Sequence, residues 1–144
     1  MIVLTGNLYG EVPYKVLNVG AQQAEESLLW WKEHFGFDLY IEIMRHNQED
    51  ETRVNTTLVE MAKKHNVKII ATNCCYYLKK EEANAHDILL CVKEGEKQST
   101  PIGRGRGYRH GLPNQEYYFK SPQLMSELFS DIPEAIHNIQ EIIE

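Results

Sequence analysis

The sequence predicts an α/β fold built on parallel strands. Three observations lead there. Short apolar or alternating runs at 2–5, 38–44 and 67–72 read as strands. Helical periodicity fills the stretches 21–35, 50–65 and 80–93 that follow them. Strands alternating with helices in this way pair in parallel, through right-handed crossovers.

The first run, "IVLT", is a short buried strand entering a turn at Gly6 and Asn7. "GEVPYKVLN" is ambiguous, with a short helix starting near Pro13 as one reading. The helix over 21–35 places Ala21, Ala24, Leu28, Trp31 and Phe35 at helical spacing, and Gly36 is positioned to stop it. "DLYIEIM" alternates, so that Leu39, Ile41 and Ile43 share one face and Tyr40, Glu42 and Met44 the other. The helix over 50–65 carries Val54, Leu58, Met61 and His65 on one stripe, before the strand "VKIIAT". The third helix, 80–93, closes at Gly95.

Beyond Gly95 the periodicity ends. Four of the nine glycines lie between 103 and 111, in a long loop. "EYYF" (116–119) reads as a short strand. Ser121-Pro122 supplies an N-cap and an N1 proline for a helix reaching about residue 129. Asp131-Ile132-Pro133-Glu134 reads as a capping box that opens a last helix, with Ile136, Ile139 and Ile143 at apolar spacing. The chain thus divides into an α/β region over 1–95, a Gly/Arg-rich loop and short strand over 96–120, and a two-helix segment over 121–144. Three strands make a narrow sheet and the first begins at once, which reads as part of a larger αβ barrel or sheet.

Charge narrows the function classes. A net charge of -6 argues against a whole-surface nucleic-acid or membrane binder. Between Lys97 and Gln115, however, there is no acid, and Lys97, Arg104, Arg106 and Arg109 are cationic. The rest of the chain therefore carries about -10. Three cysteines, two of them adjacent, point to reduced thiols in a cytoplasmic protein. No apolar stretch approaches the length of a membrane span.

Two constellations carry possible chemistry. "ATNCCYYL" (71–78) ends a buried strand in two cysteines and two tyrosines, where α/β proteins keep their sites. Zinc requires four ligands at recognisable spacing, and neither C-x-x-C nor H-x-x-x-H occurs. A nucleophilic cysteine requires a base, for which His46, His65 and His86 are available in composition only. His65 reads as a cap on the last carbonyls of its helix. His86 and Asp87 are helical neighbours and so point to different faces, which argues against a shared pocket. The second constellation is "GRGRGYRHG". Its arginines can grip phosphate and its aromatic can stack on a base, so Arg104, Arg106 and Arg109 are candidate contacts to a DNA backbone. A Walker-type phosphate loop is absent.

Four blocks, taken together, resemble one family. "LTGNLYGEVP", "YIEIMRH", "RVNTTLVEMAKKHNVKIIATNCCYYLKKEEANAHDILLCV" and "EYYFKSPQLMSELFSDIPEAIHNIQEI" are similar to the bacterial replicative DNA polymerase III alpha subunits. The match is to the later half of their N-terminal polymerase-and-histidinol-phosphatase (PHP) domain. The resemblance covers nearly the whole chain, and the glycine–arginine loop is its least family-like part.

The resemblance implies part of a distorted (β/α) PHP-type barrel, followed by a connection toward the polymerase palm. It implies DNA-directed DNA polymerase chemistry for the parent chain, with Mg2+ in the palm, and DNA and other replisome subunits as partners. The family's PHP domain holds metals at its strand ends. Of the ligand positions that fall within this chain, the cysteine of "LTGC" is Asn7 here, the aspartate of "ATNDxHY" is Cys74, and its histidine is Tyr76. An amide is a weak ligand, and a phenol titrating near pH 10 does not replace imidazole. The expectation is a mainly structural segment with a degenerate metal site, with no catalytic residue or cofactor of its own, prone to self-association when isolated. The alternative from another class is a stand-alone PHP-superfamily metal-dependent phosphoesterase.

Overall fold

The computed structural model describes residues 1–143. The central strand, β2 (Leu39–Ile43), runs parallel to β1 (Val3–Leu4) on one side and to β3 (Lys68–Ala71) on the other. Val3 faces Leu39 in register, Tyr40 faces Lys68 and Ile43 faces Ala71. Leu39, Ile41 and Ile43 are buried, as their shared face requires. Tyr40, on the opposite face, is buried too. The central strand is therefore covered on both sides, which is the usual condition of a parallel sheet.

By contact the chain divides into two units. The first comprises Met1–Thr72 together with the chain from Ser121 onward. The second is Asn73–Lys120. This division departs from the boundaries read in the sequence, which kept 1–95 together and set 121–144 apart as a connection.

In the first unit the ambiguous stretch is helix α1 (Glu11–Asn18), and α2 (Ala21–Phe35) ends at Gly36 with φ of 52°. Ala24 and Leu28 of α2 enter the core. Helix α3 (Glu49–His65) carries Glu49, Asp50 and Glu51 in its first turn and Lys63, Lys64 and His65 in its last, which complements its dipole. Asn66 ends it in the left-handed region. His65 does not cap carbonyls as expected. Its Nε2 pairs with the Glu25 carboxylate, and the Lys32 ammonium takes the His65 carbonyl instead.

Helix α5 (Pro122–Leu128) starts as the sequence predicts: the Leu124 N–H donates to Ser121 Oγ at 3.2 Å. The expected Asp131 cap does not form. Pro133 is the N-cap of α6 (Glu134–His137), and the Asp131 carboxylate turns to Arg45, accepting at 2.6 and 2.8 Å. A bidentate guanidinium outcompetes a cap bond because both partners are charged. The predicted last helix is broken at Asn138 into α6 and α7 (Ile139–Ile143). The Asn138 amide donates to the Ile69 carbonyl at 2.8 Å, fastening this end to β3. Phe129, Ile132 and Ala135 join Leu28, Ile41 and Leu58 in one apolar cluster.

In the second unit a 3-10 turn (Lys80–Glu82) leads into α4 (Ala83–Glu94), which Gly95 closes with φ of 71°. The Glu82 carboxylate accepts from the Leu78 and Lys79 N–H groups at 3.0 and 2.9 Å, fixing the entry. "EYYF" is not a strand. It forms a single bridge, Tyr77 to Tyr118, with Tyr76 N–H donating to the Tyr117 carbonyl at 2.9 Å. Among the described residues, no helix is long and apolar enough to cross a membrane.

Candidate functional site

Parallel strands aim their C-terminal ends at one side of a sheet, and that side is where side chains for a site collect. In the first unit these ends are tied to one another. The Glu42 N–H donates to Thr5 Oγ1 at 3.0 Å, and Thr72 Oγ1 donates to the Glu42 carboxylate at 2.6 Å. Beyond β2, His46 is only 1% exposed. Glu51 accepts from its backbone N–H at 2.5 Å and engages its Nδ1 at 2.7 Å. This places the imidazole in the interior as a structural partner of the α3 entry. The Asn55 amide donates to the Met44 carbonyl at 2.8 Å. A cavity of about 20 Å3 lies among Gly6, Asn7, Glu42, Glu51 and Asn55. That is the room of a single water.

Asn7, which the family resemblance sets at a ligand position, lines this cavity, and its carboxamide oxygen is engaged by the chain itself. Oδ1 accepts the Tyr9 N–H at 3.0 Å, an Asx-type turn. The Gly10 N–H donates to the Asn7 carbonyl at 2.8 Å. Gly10 is required here, because a Cβ at that position sits 2.0 Å from the Thr5 carbonyl oxygen.

Cys74 and Tyr76, the other two positions, belong to the second unit. Cys74 is half-buried, and Cys75 is exposed with its sulfur 3.3 Å from the Asn73 amide. Tyr76 is 56% exposed and packs its ring near those of His86 and Tyr117, at 5.4 and 6.0 Å between centroids. The Lys120 ammonium is buried between the Glu116 and Asn73 side chains and lies 4.3 Å above the Tyr118 ring. Burial pulls its pKa down, against the pull of Glu116. Among the described residues, no group of three or more His, Cys, Asp or Glu side chains is arranged to hold a metal ion.

No family model matches the chain. The chain is 42% identical over 138 residues to the DNA polymerase III subunit alpha of Campylobacter jejuni, covering 96% of this chain and 11% of that protein. It is 34% identical over 144 residues to that of Borreliella burgdorferi, covering 100% of this chain and 12% of that one. With Pseudomonas aeruginosa the figures are 33% over 142 residues, 99% and 12%. The chain is homologous to a segment of the bacterial DNA polymerase III alpha subunits. It spans about a tenth of the length of these curated relatives.

The polymerase-like segment carries its cationic loop in the second unit. The loop is closed by the Gly103 N–H on the Arg109 carbonyl and the Arg109 N–H on the Pro101 carbonyl, both 3.0 Å. Gly105 and Gly107 take φ of 91° and 87°, so the tip demands glycine. Arg104 and Arg106 are exposed on either side of Gly105.

Arg109 departs from the expectation for the three arginines. It is 6% exposed and grips Asp87 of α4 bidentately, at 2.6 and 3.0 Å. Its Nε donates to the Thr100 carbonyl at 2.8 Å. The guanidinium is an internal clasp between the loop and α4. Arg109, with help from the Gln98 amide, holds the Asp87 carboxyl below its usual range.

The same clasp reverses the reading of His86 and Asp87. Both line one cleft of about 210 Å3, with Tyr77, Asn84, Ile102 and Asn114. A neighbouring pair on a helix spans about 100° and can share a wide cleft when a loop folds back beside it. No local signal marks the clasp, since Asp87 and Arg109 are 22 residues apart.

Proposed function

We propose that this chain is the later part of the PHP region of a replicative DNA polymerase III alpha subunit and serves as scaffold there. The sheet is then a portion of a distorted (β/α) barrel. DNA-directed DNA polymerase activity, Mg2+ in the palm, cytoplasmic location and contacts with DNA and other replisome subunits belong to the whole polymerase. One observation supports the scaffold reading: Asn7, at a position where the resemblance implies a ligand, has its side-chain oxygen accepting the Tyr9 N–H in the β1–α1 turn.

The other two positions fit a metal no better. The Tyr76 phenol is an exposed ring packed on its neighbours, and Cys74 offers one thiol. A structural or catalytic divalent site draws on three or four protein ligands. No step of the proposed role passes through a metal.

Elemental analysis of the purified chain after incubation with manganese or zinc tests this. Substoichiometric metal and no phosphoester turnover are expected. Near-stoichiometric metal with turnover overturns the scaffold reading in favour of a metal-dependent phosphoesterase. The chain alone is expected to incorporate no nucleotides.

For DNA, the reading now rests on the loop tip. Arg104 and Arg106 are exposed in an acid-free stretch and are proposed to approach a phosphate backbone. Arg109 holds that loop in place rather than touching DNA.

A further inference from the structure

Helices α1 and α2 leave an open groove of about 590 Å3 whose walls include Trp30, Trp31, Val19, Glu11 and Glu26. Both tryptophans of the chain are in it. Trp30 is 51% exposed, although indole is among the costliest side chains to leave in water.

The ring is also held in position. The His34 imidazole stacks on it at 4.0 Å, and its own Nδ1–H donates to the Trp30 carbonyl at 2.7 Å. Trp31 meets it edge-on at 5.0 Å and 87°. Trp31 is held in turn by Glu11, which accepts its Nε1–H at 2.9 Å. Glu11 also takes the Lys15 ammonium at 2.8 Å, which neutralises the one cation in the groove wall. Glu26 stands one helical turn before Trp30 on the same face, exposed, with one oxygen accepting from Gln22 at 3.3 Å.

We infer that the α1–α2 groove docks a basic polypeptide segment, with an arginine or lysine laid over Trp30 and its charge met by Glu26. The groove joins charge complementarity to a rigid aromatic. A cation is drawn to the face of an indole, and a carboxylate beside it strengthens the attraction. With Glu11 and Lys15 paired, Glu26 is left as the net charge of the groove wall, which favours a cation over a phosphate backbone on this face. The surface lies in the first unit, apart in sequence from the Arg104–Arg106 loop.

The two tryptophans make the groove its own reporter. The experiment titrates the 144-residue chain with a blocked pentapeptide alternating arginine and leucine and follows intrinsic fluorescence. Saturable quenching is expected, weakening as salt rises. The same peptide with glutamate for arginine should give none. Trp30→Ala should weaken binding about tenfold, the size of a cation–π contact freed of solvent. Trp31 then remains as the probe, and the exposed position of residue 30 predicts an unchanged circular dichroism melt. Glu26→Gln should weaken binding about threefold with the fold intact. Equal binding of the acidic peptide, quenching by an oligodeoxynucleotide instead, or unchanged affinity in both variants overturns the inference.

Discussion

Phe129→Ala is the substitution that asks whether the chain after Ser121 is part of the sheet's own core or a strap leading elsewhere. Phe129 is 0% exposed and shares its cluster with Leu28, Ile41 and Leu58. The Arg45 guanidinium lies 4.8 Å from the centre of its ring while bonding to the Leu128 carbonyl and to Asp131. Removing a fully buried phenyl group costs about 3–5 kcal/mol, made up of lost transfer energy and the cavity left behind. At a urea slope of about 2 kcal/mol/M, that lowers the unfolding midpoint by about 1.5–2.5 M. It is a large part of the roughly 5–15 kcal/mol that holds a domain together. Tryptophan fluorescence is the assay, since Trp30 and Trp31 lie in the same unit as Phe129. Phe119→Ala is the matched control, because that ring is 68% exposed and belongs to the second unit. Its midpoint should move within about 0.5 kcal/mol of the parent. A Phe129→Ala midpoint no lower than that of the control refutes the placement of residues 121–143 in the sheet's core.

Gly10→Ala should destabilise the first unit by about 1–3 kcal/mol in the same urea assay, because the added methyl meets the Thr5 carbonyl rather than a side chain that can move. Asp131 is held below the usual carboxylate range by its hydrogen bonds to Arg45, and Asp87 by those to Arg109. A carboxylate depressed on folding adds stability above its unfolded pKa and loses it as the pH falls through the folded one. Both contributions should therefore persist from pH 7 down to about 4 and fade below it. Urea midpoints measured against pH should show a shallower acid loss in Asp131→Asn. Arg104→Ala with Arg106→Ala should lower the slope of log affinity against log salt for duplex DNA by up to about 2, one contact per arginine, with the fold unchanged. Arg109→Ala should instead raise amide exchange across α4 and the loop, and a mutant with unaltered exchange in both would contradict the clasp.

Much of this architecture is legible in the chain. The helix at 21–35, the helix ending at His65 and the stop at Gly95 follow from periodicity and terminal residues, which are properties of a few consecutive positions. The Ser121 cap is local in the same way. The resemblance to DNA polymerase III alpha subunits, carried by whole blocks, holds in the comparison with curated relatives. Asp131 misled because it has a cap's position in sequence, while Arg45 lies 86 residues away. "EYYF" has strand-forming residues, yet its neighbours supply only one bridge. Helical geometry alone separates His86 from Asp87, and the returning loop that joins them in one cleft lies outside that window.

By itself the sequence determined the order of strands and helices, the parallel sheet and the family likeness. Local backbone preference and side-chain chemistry are enough for these. Only the tertiary structure decided that Phe129 completes the sheet's core, that Arg109 is a clasp while Arg104 and Arg106 stay at the surface, and that Trp30 lines a groove beside Glu26. In each case the deciding energy is burial or ion pairing with a partner far along the chain, and no window of neighbouring residues contains it.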